Sequence, residues 1–174
     1  MKQWFLVTVT GQDRPGIVAG LTGALYRVGV NLGEISMARL GGHLGILLMA
    51  QTEADEEAVR RQLEPFAHKM GLRVHIDLIG ERPRPSPDGP NVQIEVHGAD
   101  RPGIVVQVSS ALSAAGMDIL GLDSDIGGTA DNPVYIMVID GYAEGGVQAM
   151  TRALEPVRLS GIEVRLSAIG AHVG

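Results

Sequence analysis

Apolar and polar residues alternate from Val92 to His97, with Val92, Ile94 and Val96 on one side and Gln93, Glu95 and His97 on the other. That period of two predicts a strand in a sheet with one buried face. The period then lengthens. Ile104, Val108 and Leu112 share one helical face, as Ile17, Leu21 and Leu25 do earlier in the chain. Gly29 and Gly116 stand where those helices should stop. Two β-like runs, 30–40 and 44–51, follow the first helix, and Gly41-Gly42 between them predicts a hairpin. Residues 53–70 return to helical spacing through Val59, Leu63, Phe66 and Met70, and Val74, Ile76 and Leu78 alternate as a closing strand.

This pattern occurs twice. Asp13-Arg14-Pro15-Gly16-Ile17-Val18 recurs as Asp100-Arg101-Pro102-Gly103-Ile104-Val105, and the flanking positions follow: Val7 and Val9 align with Ile94 and Val96, Leu25 with Leu112, and Asn31 with Asp118. Leu63-Glu64-Pro65 matches Leu154-Glu155-Pro156 at a slightly longer spacing, which places a short insertion in the turn-rich stretch 127–133. Such self-similarity means duplication of one structural unit. Between the copies, residues 81–90 hold four prolines and predict an extended, stiff spacer. A proline-rich ligand for a partner's groove is the other reading of that stretch. The expected fold class is α+β: two ferredoxin-like βαββαβ sandwiches in tandem, over 1–80 and 91–174, with 81–90 as linker.

Composition narrows the function. The chain is 45% hydrophobic and 20% charged, so a packed core is expected and disorder is not. With 14 basic and 20 acidic residues the net charge is −6, which argues against a nucleic-acid surface spread over the whole protein. Cysteine is absent, which removes disulfides, thiolate metal sites and cysteine nucleophiles together. No leader pattern and no run of about 20 apolar residues is present, so a cytoplasmic protein without membrane contact is expected.

The repeated Asp-Arg-Pro-Gly segment joins the first strand of each copy to its first helix. One reading is structural: proline suits a first helical turn, aspartate ahead of it can cap free amides, and glycine permits close backbone approach. The other is chemical. A helix start containing glycine offers uncovered N–H donors to a carboxylate, and Asp13 or Asp100 can accept from an ammonium group. Asn31 and Asp118 open the second strand, a position expected to lie close to the same turn. Amide donors beside polar oxygens suit a zwitterionic amino acid. The copies differ in this respect, one pairing aspartate with asparagine and the other two aspartates.

The run Asp-Arg-Pro-Gly-Ile-Val, a helix ending in glycine, and then Val30-Asn31-Leu32 resemble the ACT domain, a small-molecule-binding module of amino-acid metabolism. The resemblance covers roughly 3–80 and 91–170. Two such units with a proline-rich linker are similar to the glycine cleavage system transcriptional repressor group. The resemblance implies side-by-side pairing of ACT units and amino acids, glycine or serine among them, held at ACT–ACT interfaces. By position the contacts would come from Asp13, Gly16, Ile17 and Asn31, and from Asp100, Gly103, Ile104 and Asp118. It further implies a non-enzymatic homodimer with no cofactor, acting on a regulatory protein partner and without direct nucleic-acid binding. One departure stands out: Gly11 and Gly98 occupy the place, two residues before each aspartate, where some amino-acid-binding relatives carry a polar side chain.

Rival chemistry is poorly supplied. The five histidines, at 43, 68, 75, 97 and 172, show no metal-ligand spacing, and His75 and His97 should face away from the buried side. Asp123 and Asp125 would share one strand face, which reads as a solvated edge rather than an acid/base pair. No nucleophile elbow or P-loop is present. RNA recognition needs aromatic platforms, and the chain is 3% aromatic. An acylphosphatase-like hydrolase could use Arg14 and Asn31 but lacks that family's glycine-rich loop. A constitutive interaction scaffold without ligand is the remaining alternative.

Overall fold

The computed structural model describes residues 2–80, 89–99, 102–129 and 131–170. The chain divides into two compact units, Met1–Pro85 and Ser86–Gly174. The linker read at 81–90 lies mostly outside the described residues.

Unit 1 runs β1 (Gln3–Gln12), α1 (Ile17–Tyr26), β2 (Asn31–Leu40), β3 (His43–Thr52), α2 (Glu56–Met70) and β4 (Arg73–Gly80). Its antiparallel sheet has the order β2-β3-β1-β4. Phe5, Val7 and Val9 point to the helix side and are buried there with Leu21, Leu25, Ile46, Leu48, Val59 and Leu63. Gly41 and Gly42 both have positive φ and join Leu40 to His43, the two-residue hairpin that their sequence predicts. The second helix starts three residues later than periodicity suggests. Thr52 accepts from the Ala54 amide, and the Asp55 carboxylate accepts from that of Ala58, so these side chains define its start.

Unit 2 repeats the plan with β5 (Val92–Ala99), α3 (Ile104–Ala114), β6 (Asp118–Thr129), β7 (Asn132–Tyr142), α4 (Gly146–Ala153), α5 (Glu155–Leu159) and β8 (Glu163–Ala168), in the sheet order β6-β7-β5-β8. Val92, Ile94 and Val96 pack against Ile104, Val108, Leu112, Met137, Ile139 and Leu154. Two details depart from the pattern. The inserted residues lengthen the β6–β7 arms, which stay paired as far as Thr129 and Asn132, instead of forming a loop. The second helix divides at Leu154, where backbone angles of −92° and 1° end α4 and open α5. Pro156 follows and has no N–H for the carbonyl four residues back.

Candidate functional site

The strand-to-helix turns are built alike. Gly16 and Gly103 are the N-caps of α1 and α3, with φ of 88° and 97°, a left-handed conformation that favours glycine. Neither helix start has a side-chain cap. The Gly20 amide makes the first helical bond, to the Gly16 carbonyl, at 2.9 Å, and that of Gln107 does the same to Gly103 at 3.0 Å. The three amides ahead of each therefore lack a helical partner and face outward with the positive end of the helix dipole. Ile17 and Ile104 are buried core residues, so only their backbone is available to a ligand.

Two parts of the structural reading of Asp-Arg-Pro-Gly need correction. Pro15 precedes the N-cap and is outside the first helical turn. Asp13 does not cap α1. Its carboxylate lies 3.2 Å from Arg39 on β2, and its amide donates to the Gly42 carbonyl at 2.9 Å, so this residue ties the turn to the β2–β3 hairpin. Arg14 donates to the side chain of Gln12 at 3.1 Å. Asp100 and Arg101 lie outside the described residues.

Asn31 and Asp118 do open β2 and β6, but at the wrong end for a site within one unit. Register is decisive here. Gln12 pairs with His43 and His43 with Leu40, whereas Asn31 pairs with Gln51 and Gln51 with Trp4. Gln12 is eight residue steps beyond Trp4 along β1, a span of about 26 Å at the usual strand rise. Asp118 likewise pairs with Tyr142, whose neighbour Gly141 meets Val92, the first residue of β5. The fold thus brings Asp13, Gly16 and Ile17 together at the head of unit 1 and leaves Asn31 at its foot. Unit 2 repeats the separation between Gly103 with Ile104 and Asp118.

The foot of unit 1 is itself concave. A pocket of about 440 Å³ is lined by Lys2, Val28, Gly29, Asn31, Gln51, Thr52, Glu53 and Ala54. Lys2, Gln51 and Glu53 gave no signal in the sequence, since each flanks or ends a strand in an ordinary alternating position. His75 and His97 lie on the helix-free face, as alternation predicts, near Asp77 and Glu95 respectively. Asp123 and Asp125 occupy that face of unit 2 opposite Val138 and Ile136. Among the described residues no group of acidic and histidine side chains could hold a metal ion, and no helix is long and apolar enough to cross a membrane.

Comparison with known proteins agrees with this architecture. The ACT domain model matches residues 3–77. UPF0237 protein YjhC of Lactococcus lactis is 32% identical over 72 residues, 41% of this chain and 83% of its own length. A UPF0237 protein of Pyrobaculum aerophilum is also 32% identical, over 79 residues covering 42% of this chain and 88% of that one. Among solved structures, an unknown protein from Galdieria sulphuraria superposes with a TM-score of 0.80 at 26% identity, covering 98% of this chain and 100% of that one. A protein assigned as a glycine cleavage system transcriptional repressor superposes with a TM-score of 0.72 over 97% of this chain and 98% of its own, a likeness of fold alone at 15% identity. With the ACT model lying across β1 to β4 and relatives matched over most of their length, the chain belongs to the ACT-domain family.

Proposed function

We propose that this protein is a non-enzymatic, ligand-responsive regulator that binds a small amino acid at interfaces between ACT units and alters what a protein partner sees. Glycine and serine are the first ligands to try, and control of amino-acid metabolism, including its transcription, is the process this reading favours. The observation that carries it is the helix start present in both units: a left-handed glycine with no side-chain cap, which leaves amide donors for a carboxylate. Asp55 caps α2 within the same unit, so the fold does not leave every helix start bare. Because the turn and Asn31 stand at opposite ends of the sheet, a ligand touching both kinds of position must meet them on two different ACT units. That requirement fits a homodimer. The ligand then favours the paired arrangement by its differential affinity, and the partner reads the shift.

Thermal unfolding of the purified chain against the twenty amino acids, followed by calorimetry, tests this reading. A ligand of the native state stabilises it by about 2.7 kcal/mol at a hundred times its Kd, so Tm should climb with concentration. Asn31→Ala or Asp118→Ala should remove the shift without unfolding the chain. A flat response at millimolar concentrations would favour a scaffold that works without ligand.

A further inference from the structure

The foot pocket of unit 1 holds opposite charges that its counterpart lacks. Lys2, Asn31, Gln51 and Glu53 line it together, and none of these side chains makes a hydrogen bond or ion pair among the described residues. Trp4 pairs with Gln51 and Gln51 with Asn31, so these three share one side of the sheet, and Lys2 and Glu53 stand just beyond the ends of β1 and β3 at the same pocket. The wall behind them is fixed. Thr52, only 3% exposed, donates to the Val28 carbonyl at 3.3 Å and accepts from the Ala54 amide at 3.1 Å. The repeat puts Gly89, Asp118, Tyr142 and Glu144 at the matching positions of unit 2. That foot has two carboxylates and no cation.

We infer that the foot pocket of unit 1 is a binding site for a small zwitterionic amino acid, complete within one chain and absent from unit 2. Lys2 receives the carboxylate, while the Glu53 carboxylate and the amide oxygens of Asn31 and Gln51 accept from the ammonium group. The pocket volume of about 440 Å³ falls in the range used for small ligands. This inference rests on the amino-acid reading above and adds where the ligand is held first. A carboxylate has two oxygens, so the helix start of a partner chain can engage the one Lys2 leaves.

Trp4, the chain's single tryptophan, reports on this end. It adjoins Gln51, and its ring lies within 3.0 Å of where a Cβ on Gly33 would stand. Dilute full-length protein is titrated with glycine and with L-serine, followed by Trp4 fluorescence and by calorimetry. The expected result is saturable binding of one ligand per chain, with no response to acetate or methylamine, each of which carries one of the two charges. Lys2→Ala and Glu53→Gln should each weaken binding about tenfold or more, as loss of a charge-assisted contact does. Lys2→Arg and Glu144→Gln should retain it, and circular dichroism should be unchanged throughout because the substituted residues are exposed. Full-strength binding in both Lys2→Ala and Glu53→Gln, or two ligands per chain, would overturn the foot site while leaving the amino-acid reading intact. Absence of any calorimetric signal with the native chain would overturn both.

Discussion

Phe5, Val7 and Val9 of unit 1 and Val92, Ile94 and Val96 of unit 2 hold matching places on the central strands, all at 1% exposure or less. On the other side of those strands the match ends. Leu6, Thr8 and Thr10 of unit 1 stand where unit 2 has Gln93, Glu95 and His97. Across the sheets, Thr8 lies in a row with Leu47, Ser36 and His75, and Glu95 in a row with Val138, Asp123 and Arg165. The helices explain the contrast. A residue pressed between sheet and helix must stay apolar, since a buried polar group without a partner costs free energy. Among the described residues the helices pack on the other side, so on the far face the central strand is free to carry Leu6, Thr8 and Thr10 in one copy and Gln93, Glu95 and His97 in the other. The feet diverged for the same reason, which is why the duplicated fold does not imply duplicated sites.

The core also differs between the copies at Ala50 and Gly141, and that difference yields the largest expected effect. Ala50 is fully buried in unit 1 opposite Leu32, and the equivalent Gly141 of unit 2 lies opposite Ile119. A Cβ at Gly141 would strike the Asp118 carbonyl and the Met117 methyl group, and backbone cannot yield as a side chain can. Gly141→Ala should therefore destabilise unit 2 by about 3 kcal/mol, the upper part of the overpacking range. Ala50→Gly should cost unit 1 about 1 kcal/mol, the usual strand penalty for glycine. Denaturant unfolding, with amide exchange to localise the loss, measures both. Equal losses would mean that unit 2 packs no more tightly at β7 than unit 1 does at β3.

Gly11 and Gly98 sharpen the comparison at the head. They are equivalent in sequence, but a Cβ on Gly11 would stand 2.7 Å from the Leu72 side chain and 3.1 Å from the Gly71 carbonyl. On Gly98 its nearest neighbour would be Ile104 at 3.5 Å, an ordinary contact. Gly11→Ala should lower stability by about 1 to 2 kcal/mol, and Gly98→Ala should leave it level or slightly raised. The missing polar residue two places before Asp13 thus has a steric cause in unit 1 and none in unit 2. Melting of the two variants under one buffer decides it, and a destabilised Gly98→Ala would remove the distinction.

Periodicity carried most of the fold into view because the signals were local. Val92 to Val96 alternate, Ile104, Val108 and Leu112 recur at helical spacing, and Gly41-Gly42 permits few turns other than a tight hairpin. The site was less legible, since residues that line it meet through strand register. Asn31 was singled out for opening β2, yet which end of the sheet it occupies depends on β1 and β2 running the same way on either side of β3. Lys2, Gln51 and Glu53 converge on it from other segments and carry no motif. Asp13 reads as a cap because caps are local, whereas its partner Arg39 lies beyond α1 and near the end of β2 in sequence. The split at Leu154 was hidden by identity: both copies read Leu-Glu-Pro, and only one helix breaks there.

That last difference gives the smallest of the expected effects and the finest test of the comparison. Helix α2 crosses Pro65 unbroken, starts on an Asp55 carboxylate 2.8 Å from the Ala58 amide, has Glu56 and Glu57 in its first turn, and has His68 and Lys69 in its last. Glu56 also holds Arg60 in a hydrogen-bonded pair at 2.6 Å, which raises the arginine's pKa. Helix α4 starts at Gly145 with no side-chain cap and no acidic residue in its first turn. Removing the carboxylate by Asp55→Ala should cost unit 1 about 1 kcal/mol, and Asp55→Ser should restore most of it. Amide exchange locates the effect: protection should fall first across Glu56 to Val59 and least beyond Pro65, where Leu63 and Ala67 anchor the helix to the core. If protection falls evenly along α2, the cap was holding the whole helix across Pro65. The split in unit 2 would then follow from its bare start instead of from Pro156.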